Sequence, residues 1–343
     1  MPPLPFPNCV ADITADWLNR SLEGAAVTGV RAVRIGLDEG FSGCRLYRLK
    51  LEGGGPGSLV VKLSPADATD ARRMAGANAR EVAFCADHGQ DAALPMPFCH
   101  LARFDAATGA SLLVMQDLGD HRALPFANGL GVAEAGLALR ALAGLHARWW
   151  DGDGDAGPTL QQAYPFDTLW PAYLDHVARI KTHLPPALRA LGDRIAADPE
   201  QACARHSGTG PLTRVHGDAQ ADNLRFADGP GRAGALLLDW QLTGRGLAMS
   251  DVGYLLISSL TPAVRRQHER ALVEGYRAAL AERGVRGHPG GYVRAATGKL
   301  WITVAATLQY DNATPAKQRW RRVDLERLAA FCADHDPAAN ALG

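Results

Sequence analysis

Apolar positions alternate with polar ones in short runs over the first third of the chain, and further along they fall into a helical period. Thr14 can cap a helix running to about Leu22; beyond it "VTGVRAVRI", "CRLYRLKL" and "SLVVKL" are rich in Val, Ile, Leu and Tyr and are separated by glycine-containing turns. That pattern predicts a small antiparallel sheet. A helix is expected around Arg72 to Asp87, then strands near Cys99 to Phe104 and Ser111 to Met115. After "QDLGDH" helices dominate. In "VAEAGLALRALAGLHARWW" the residues Leu142, Leu145 and Trp149 share one helical face, and in "DTLWPAYLDHVARIKTHLPP" Trp170, Tyr173, Val177, Ile180 and Leu184 do the same, with Pro185 and Pro186 ending the helix. Further helices are expected at Ala263 to Arg283, stopped by Gly284, at Tyr292 to Tyr310 and at Val323 to His335. Two short strands, "NLRF" and "ALLLDW", interrupt this half.

The two halves differ in kind, which places a boundary just after Met115: residues 1–115 form a sheet-bearing lobe, 116–120 a hinge and 121–343 a helical lobe. The fold class is therefore α+β, with the smaller lobe an antiparallel sheet carrying one main helix. Composition agrees with a soluble globular protein: 47% of the 343 residues are hydrophobic and 21% charged. With 36 basic and 36 acidic residues in balance, the chain does not advertise a nucleic-acid or membrane-surface partner. Cys9, Cys44, Cys85, Cys99, Cys203 and Cys332 are scattered without a C-x-x-C, as reduced, mostly buried thiols of a cytoplasmic protein would be. The start "MPPLPFPNCVAD" lacks a basic, apolar leader, and no apolar run approaches the roughly 18 residues of a bilayer span. Nothing in the sequence fixes an oligomeric state.

The chemistry concentrates in "TRVHGDAQADNLRF". Asp218 and Asn223 are five apart, and Asp239 closes the next apolar strand. Phosphoryl transfer needs such a set: a carboxylate to orient the acceptor hydroxyl and take its proton, and an amide with a second carboxylate to hold Mg²⁺ on the phosphates. The spacing H-x-D-x-x-x-x-N followed by an aspartate is that of a kinase catalytic loop. A cation for the phosphates is available in Lys62, one of only five lysines, set inside the apolar strand "SLVVKLS". A buried ammonium needs a partner, and Glu81 on the following helix can supply it. Upstream, Gly36, Gly40 and Gly43 can form a turn over the phosphates. Of the remaining polar residues, His216 reads as a loop-holding ring and Asp222 as solvated. His146, Trp149 and Trp150 read as core packing, and Asp151, Asp153 and Asp155 as a solvated loop.

Together "VHGDAQADN", "LLLDWQ", the Lys62 and Glu81 pair, "LLVMQDLG" and "LAGLHARWW" resemble the aminoglycoside phosphotransferase and choline kinase-like superfamily, and within it most closely the ecdysteroid kinase-like branch. The resemblance runs from about Thr14 to Leu256. It implies a bilobal protein-kinase-like fold with ATP and Mg²⁺ between the lobes. It also implies that backbone groups near Gln116, Asp117 and Leu118 meet the adenine and that Asp251 braces the catalytic loop. "DWQ" stands where a protein kinase has D-F-G, and no activation segment is recognisable, which favours a small-molecule acceptor.

Three other readings compete. An aminoglycoside or other antibiotic kinase would share the fold but want an acidic pocket. The expected acceptor helices instead mix Asp167, Asp175 and Asp311 with Arg179, Lys181, Arg294 and Lys299, and add Trp170, Tyr173, Trp301 and Tyr310, a set suited to a neutral or partly apolar alcohol. A pseudokinase acting as an interaction module would keep the fold without the chemistry, yet none of the five catalytic groups is missing. A non-haem iron oxygenase would pair His216 and Asp218 with a distant His268, but the surroundings of His268 read as helix.

Overall fold

The computed structural model describes residues 4–36, 43–152, 157, 185–197, 211–228, 234–287, 290–291 and 314–335. The helices expected at Asp167 to Leu184 and Tyr292 to Tyr310, together with Gly40, Asp153, Asp155 and Cys203, lie outside them. The chain divides into two compact units, Met1–Asp120 with Leu238–Leu242, and His121–Leu237 with Thr243–Gly343.

In the first unit, α1 (Ala15–Ser21) is capped by the Thr14 hydroxyl, which accepts from Trp17 N. Strands β1 (Ala26–Ile35), β2 (Arg45–Gly54), β3 (Ser58–Leu63), β4 (Cys99–Asp105) and β5 (Ala110–Gln116) form one antiparallel sheet in the order β1-β2-β3-β5-β4. Alternation along β3 sends Leu59, Val61 and Leu63 into a core with Trp17, Leu18, Leu49, Leu112 and Val114. Each such side chain taken fully out of water stabilises the unit by about 1.5–3 kcal/mol. The same alternation turns Lys62 to the opposite face. Lys62 sits on the central strand, opposite Leu46 of β2 and Leu113 of β5.

The single helix expected at Arg72 to Asp87 is two, α2 (Ala68–Arg73) and α3 (Ala75–His88). Asp67 starts the first by accepting from the amides of Thr69 and Asp70, and Met74, at φ −89° and ψ −2°, ends it and begins the second. Helix α3 buries Asn78, Glu81, Val82, Phe84 and Cys85.

The second unit contains α4 (Val132–Arg148), α5 (Pro186–Ala197), β6 (Leu212–Val215), β7 (Leu224–Ala227), β8 (Gly234–Leu237), β9 (Gly244–Leu247), α6 (Ala248–Ser259), α7 (Pro262–Glu282) and α8 (Pro315–His335). Strands β6 and β9 pair antiparallel, as do β7 and β8. Sequence patterning misses α5, β6, β9 and α6, and begins α8 eight residues late. Helix α6 escapes because all twelve of its residues are buried, so it has no polar face to generate a period. Strands β6 and β9 escape because "LTRV" and "GRGL" are four residues long and carry arginine or glycine in place of a β-branched run. Pro186 opens α5 at its first position, where its missing N–H costs nothing; the helix it was expected to end lies outside the described residues. No helix among the described residues is long and apolar enough to cross a membrane.

Candidate active site

In the first unit the site is built around Lys62. Its Nζ lies 2.8 Å from both Glu81 carboxylate oxygens and 3.0 Å from Asp239 Oδ1. Lys62 is 7% exposed and Glu81 4%. Burial alone would push the ammonium's pKa down, but the charges of Asp239 and Glu81 overturn that and hold it above the ordinary lysine value. The ammonium therefore stays charged and bridges two carboxylates that would otherwise repel each other. Asp239 does not continue strand β8, which ends at Leu237; its backbone is left-handed, at φ +64°.

The glycine turn contributes Gly36 and Gly43, at φ +81° and +65°. At the end of β5, Gln116 N donates to Phe98 O at 2.8 Å, and Phe98 N donates to Gln116 Oε1 at 3.3 Å. The Asp117 carboxylate is ion-paired with Arg48 from β2: an Nη donates to Oδ1 at 3.1 Å, and Nε lies 2.7 Å from Oδ2 without hydrogen-bond geometry. That ion pair ties the segment leading to Leu118 to β2, and Leu118 is half-buried.

In the second unit the loop from Val215 to Asn223 carries the remaining groups. Gly217, at φ +86°, makes the turn that an L side chain would resist by about 1–2 kcal/mol. Asp218 N donates to His216 Nδ1 at 3.2 Å, so the buried His216 ring holds the loop and its proton resides on Nε2. Asn223 Nδ2 reaches Asp218 twice, at 2.9 Å to Oδ2 and 3.0 Å to the main-chain O, and Gln220 Nε2 lies 3.3 Å from Oδ1. Asp218 and Asn223 are thus brought together, both half-buried.

Asp251, on α6 and 1% exposed, braces this loop. Its Oδ2 accepts from His216 N at 2.6 Å and its Oδ1 from Gly217 N at 2.9 Å. Two residues behind it were not expected. His146, read from the sequence as core packing, places Nε2 3.2 Å from Asp251 Oδ2 and Nδ1 2.7 Å from the Tyr276 hydroxyl. Ser259, two turns along α6 from Asp251, accepts from Ala221 N at 2.9 Å. Asp222, expected to be solvated, is exposed as a residue, but its carboxylate also accepts from Phe126 N and from Trp320 Nε1, at 3.3 and 3.1 Å. His268 lies half-buried on α7, and among the described residues no three His, Cys, Asp or Glu side chains converge on a metal position.

A family model described as the phosphotransferase enzyme family matches residues 36–288. No curated protein matches the chain significantly in sequence. Among solved structures, a Ralstonia eutropha JMP134 protein provisionally assigned as an aminoglycoside phosphotransferase aligns with a TM-score of 0.60 and 17% identity, over 93% of this chain and 97% of that one. A microcompartment-associated aminopropanol kinase gives 0.56 and 13%, over 94% and 98%. A choline/ethanolamine kinase family protein from Mesorhizobium loti gives 0.54 and 17%, over 96% and 99%. At these identities the likeness shows the fold, which is protein-kinase-like. With the family model spanning well over half of the sequence, the chain belongs to the phosphotransferase enzyme family.

Proposed function

We propose that this small-molecule phosphotransferase moves the γ-phosphoryl group of ATP to an alcohol hydroxyl, with Mg²⁺ as the metal. The observation that carries this reading is the buried, charged Lys62, held 2.8 Å from Glu81 and 3.0 Å from Asp239. An ammonium fixed in that way is a preorganised partner for phosphate oxygens, and Glu81 keeps it aimed. Backbone groups near Gln116, Asp117 and Leu118 would meet the adenine, and the glycines Gly36, Gly40 and Gly43 are the candidates for a turn over the phosphates.

The donor chemistry fits Mg²⁺, a hard cation that takes one or two protein oxygens and fills its shell with water and phosphate. Asp239 offers a carboxylate. Asn223 spends its amide nitrogen on Asp218, which leaves its amide oxygen for a cation. When bound, the metal supplies charge neutralisation at the β- and γ-phosphates. Asp218 orients the acceptor hydroxyl and takes its proton as the new P–O bond forms and the bond to the β-phosphate oxygen breaks. Asp251, His216 and His146 hold the loop in place without meeting substrate.

For the acceptor we favour a neutral or partly apolar alcohol. Its support is the sequence of the two segments expected to meet the acceptor, with Trp170, Tyr173, Trp301 and Tyr310, and the resemblance to the ecdysteroid kinase-like branch. The test is ADP release against sterols, hydroxy acids, choline, ethanolamine, sugars and aminoglycosides, with ATP and GTP in parallel. Turnover of a neutral alcohol supports the reading. Activity confined to aminoglycosides overturns the acceptor class, and nucleotide binding without turnover of any alcohol favours a pseudokinase.

A further inference from the structure

Three consecutive residues fasten the segment Leu238–Leu242, one to β3 and two to one face of α3. Asp239 reaches Lys62, as described. Trp240 N donates to Glu81 Oε1 at 3.2 Å, and its indole stacks on the Phe84 ring with centroids 4.3 Å apart and planes inclined by 26°. The side-chain amide of Gln241 donates to Asn78 Oδ1 at 2.7 Å, and its main-chain carbonyl accepts from an Arg80 Nη at 2.6 Å. Asn78, Glu81 and Phe84 are spaced by three along α3 and so form one stripe. Asn78, Glu81, Trp240 and Gln241 are each no more than 5% exposed. The thiol of Cys44, next to Gly43, lies 3.6 Å from the same Gln241 amide and 3.8 Å from Asn78 Oδ1.

Two physical points give this clamp a task beyond packing. Asp239 holds a left-handed backbone, which an L-residue keeps only where its surroundings over-determine it. Gln241 is one of those surroundings, beside the Trp240 contacts and the Lys62 ion pair: a glycine there would lack the side-chain bond to Asn78 and loosen the backbone that carries the carboxylate. Glutamine instead commits both its side chain and its carbonyl to α3. The amide-to-amide bond is buried, so releasing it strands polar groups out of reach of water. The direction of the Asp239 carboxylate is thereby tied to Asn78 and Arg80, neither of which touches it.

We propose that Asn78, Arg80 and Gln241 are positioning residues that hold the Asp239 carboxylate in the orientation in which it meets a cation, and that they set the affinity for the metal–nucleotide complex. This rests on the reading of Asp239 as a metal-binding carboxylate. Groups that orient a ligating carboxylate typically change metal affinity by about 10- to 100-fold when removed.

The experiment uses the full chain and needs no turnover: free Mn²⁺ is followed by its paramagnetic resonance signal during titration in the presence of ADP. Metal-free ADP binding and thermal midpoint are measured alongside. Gln241→Met and Asn78→Leu keep volume and lose the amide bond. Each is expected to weaken Mn²⁺ binding at least about tenfold and to leave metal-free ADP affinity within twofold, and the double variant is expected to be no weaker than the worse single. Arg80→Met, at a half-buried position, replaces either single variant that fails to fold, with the same expectation. Wild-type Mn²⁺ affinity in folded Gln241→Met, effects that multiply in the double variant, or an equal loss of metal-free ADP binding would each overturn the proposal. Asp239→Ala separates the two levels. If it retains wild-type Mn²⁺ affinity, the metal-site reading itself fails; if it abolishes binding while Gln241→Met does not, only the clamp fails.

Discussion

The Tyr276 hydroxyl lies 2.7 Å from His146 Nδ1, and that contact decides which ring nitrogen carries the proton. Burial, reinforced by the nearby Asp251 charge, raises the Tyr276 pKa well above its ordinary value of 10.0, so the hydroxyl stays protonated and donates. His146 then presents Nε2–H to Asp251 Oδ2 at 3.2 Å, and Asp251 accepts the amides of His216 and Gly217. A residue of α7 therefore reaches the loop that carries Asp218 through two intermediaries.

Tyr276→Phe removes that hydroxyl and keeps the ring. A buried Nδ1 left without its donor should cost about 1–3 kcal/mol, read as a lower urea midpoint. The kcat should fall while the nucleotide KM stays unchanged, because the loop moves and the Lys62 side does not. Wild-type values of both stability and kcat would show that the hydroxyl does not set the ring.

Lys62→Met leaves Glu81 and Asp239 facing each other without their ammonium. Breaking a buried pair in this way costs about 3–5 kcal/mol, and the lower end is expected because the Asp239 side chain is 31% exposed. Adding Glu81→Gln to Lys62→Met should restore part of the loss by removing one of the two charges. Denaturant unfolding of the single and double variants measures both, and a double variant less stable than Lys62→Met would contradict the assignment of the repulsion.

Asp334, on α8, bonds Arg265 and Arg266 of α7. Burial works to raise its pKa, but the hydrogen bonds and charge of the two guanidinium groups outweigh it and hold the carboxyl below the ordinary 3.8. A depressed folded-state pKa means that the unfolded chain binds the proton first on acidification, so this stabilisation is complete above the ordinary value and is lost as pH falls through the folded one. The gap in urea midpoint between wild type and Asp334→Asn should therefore be constant above about pH 5 and close below about pH 3.8. A gap that widens on acidification would reverse the sign.

Much of the sheet-bearing unit is legible in the sequence because its strands are apolar runs of six to ten residues between glycine turns. Helix α6 is not, since burial on every side erases the period that would betray it. The polar spacing from His216 to Asn223, and Lys62 within an apolar strand, can be read directly because each stands out against its immediate neighbours. The groups that hold them cannot be read in this way. His146 meets Asp251 across 105 residues, Tyr276 meets His146 across 130, and Gln241 meets Asn78 across 163. Each looks locally like an ordinary core or helix residue, and only the folded chain makes them partners.

The central claim is that Asp218 takes the proton of the acceptor hydroxyl as the phosphoryl group transfers. The most direct measurement is single-turnover transfer of the γ-phosphoryl group from ATP to an accepted alcohol, in wild type and Asp218→Ala, with nucleotide binding measured on the same samples. The account predicts a transfer rate lower by about 10² to 10⁴ with nucleotide affinity unchanged. Transfer by Asp218→Ala at the wild-type rate would contradict it.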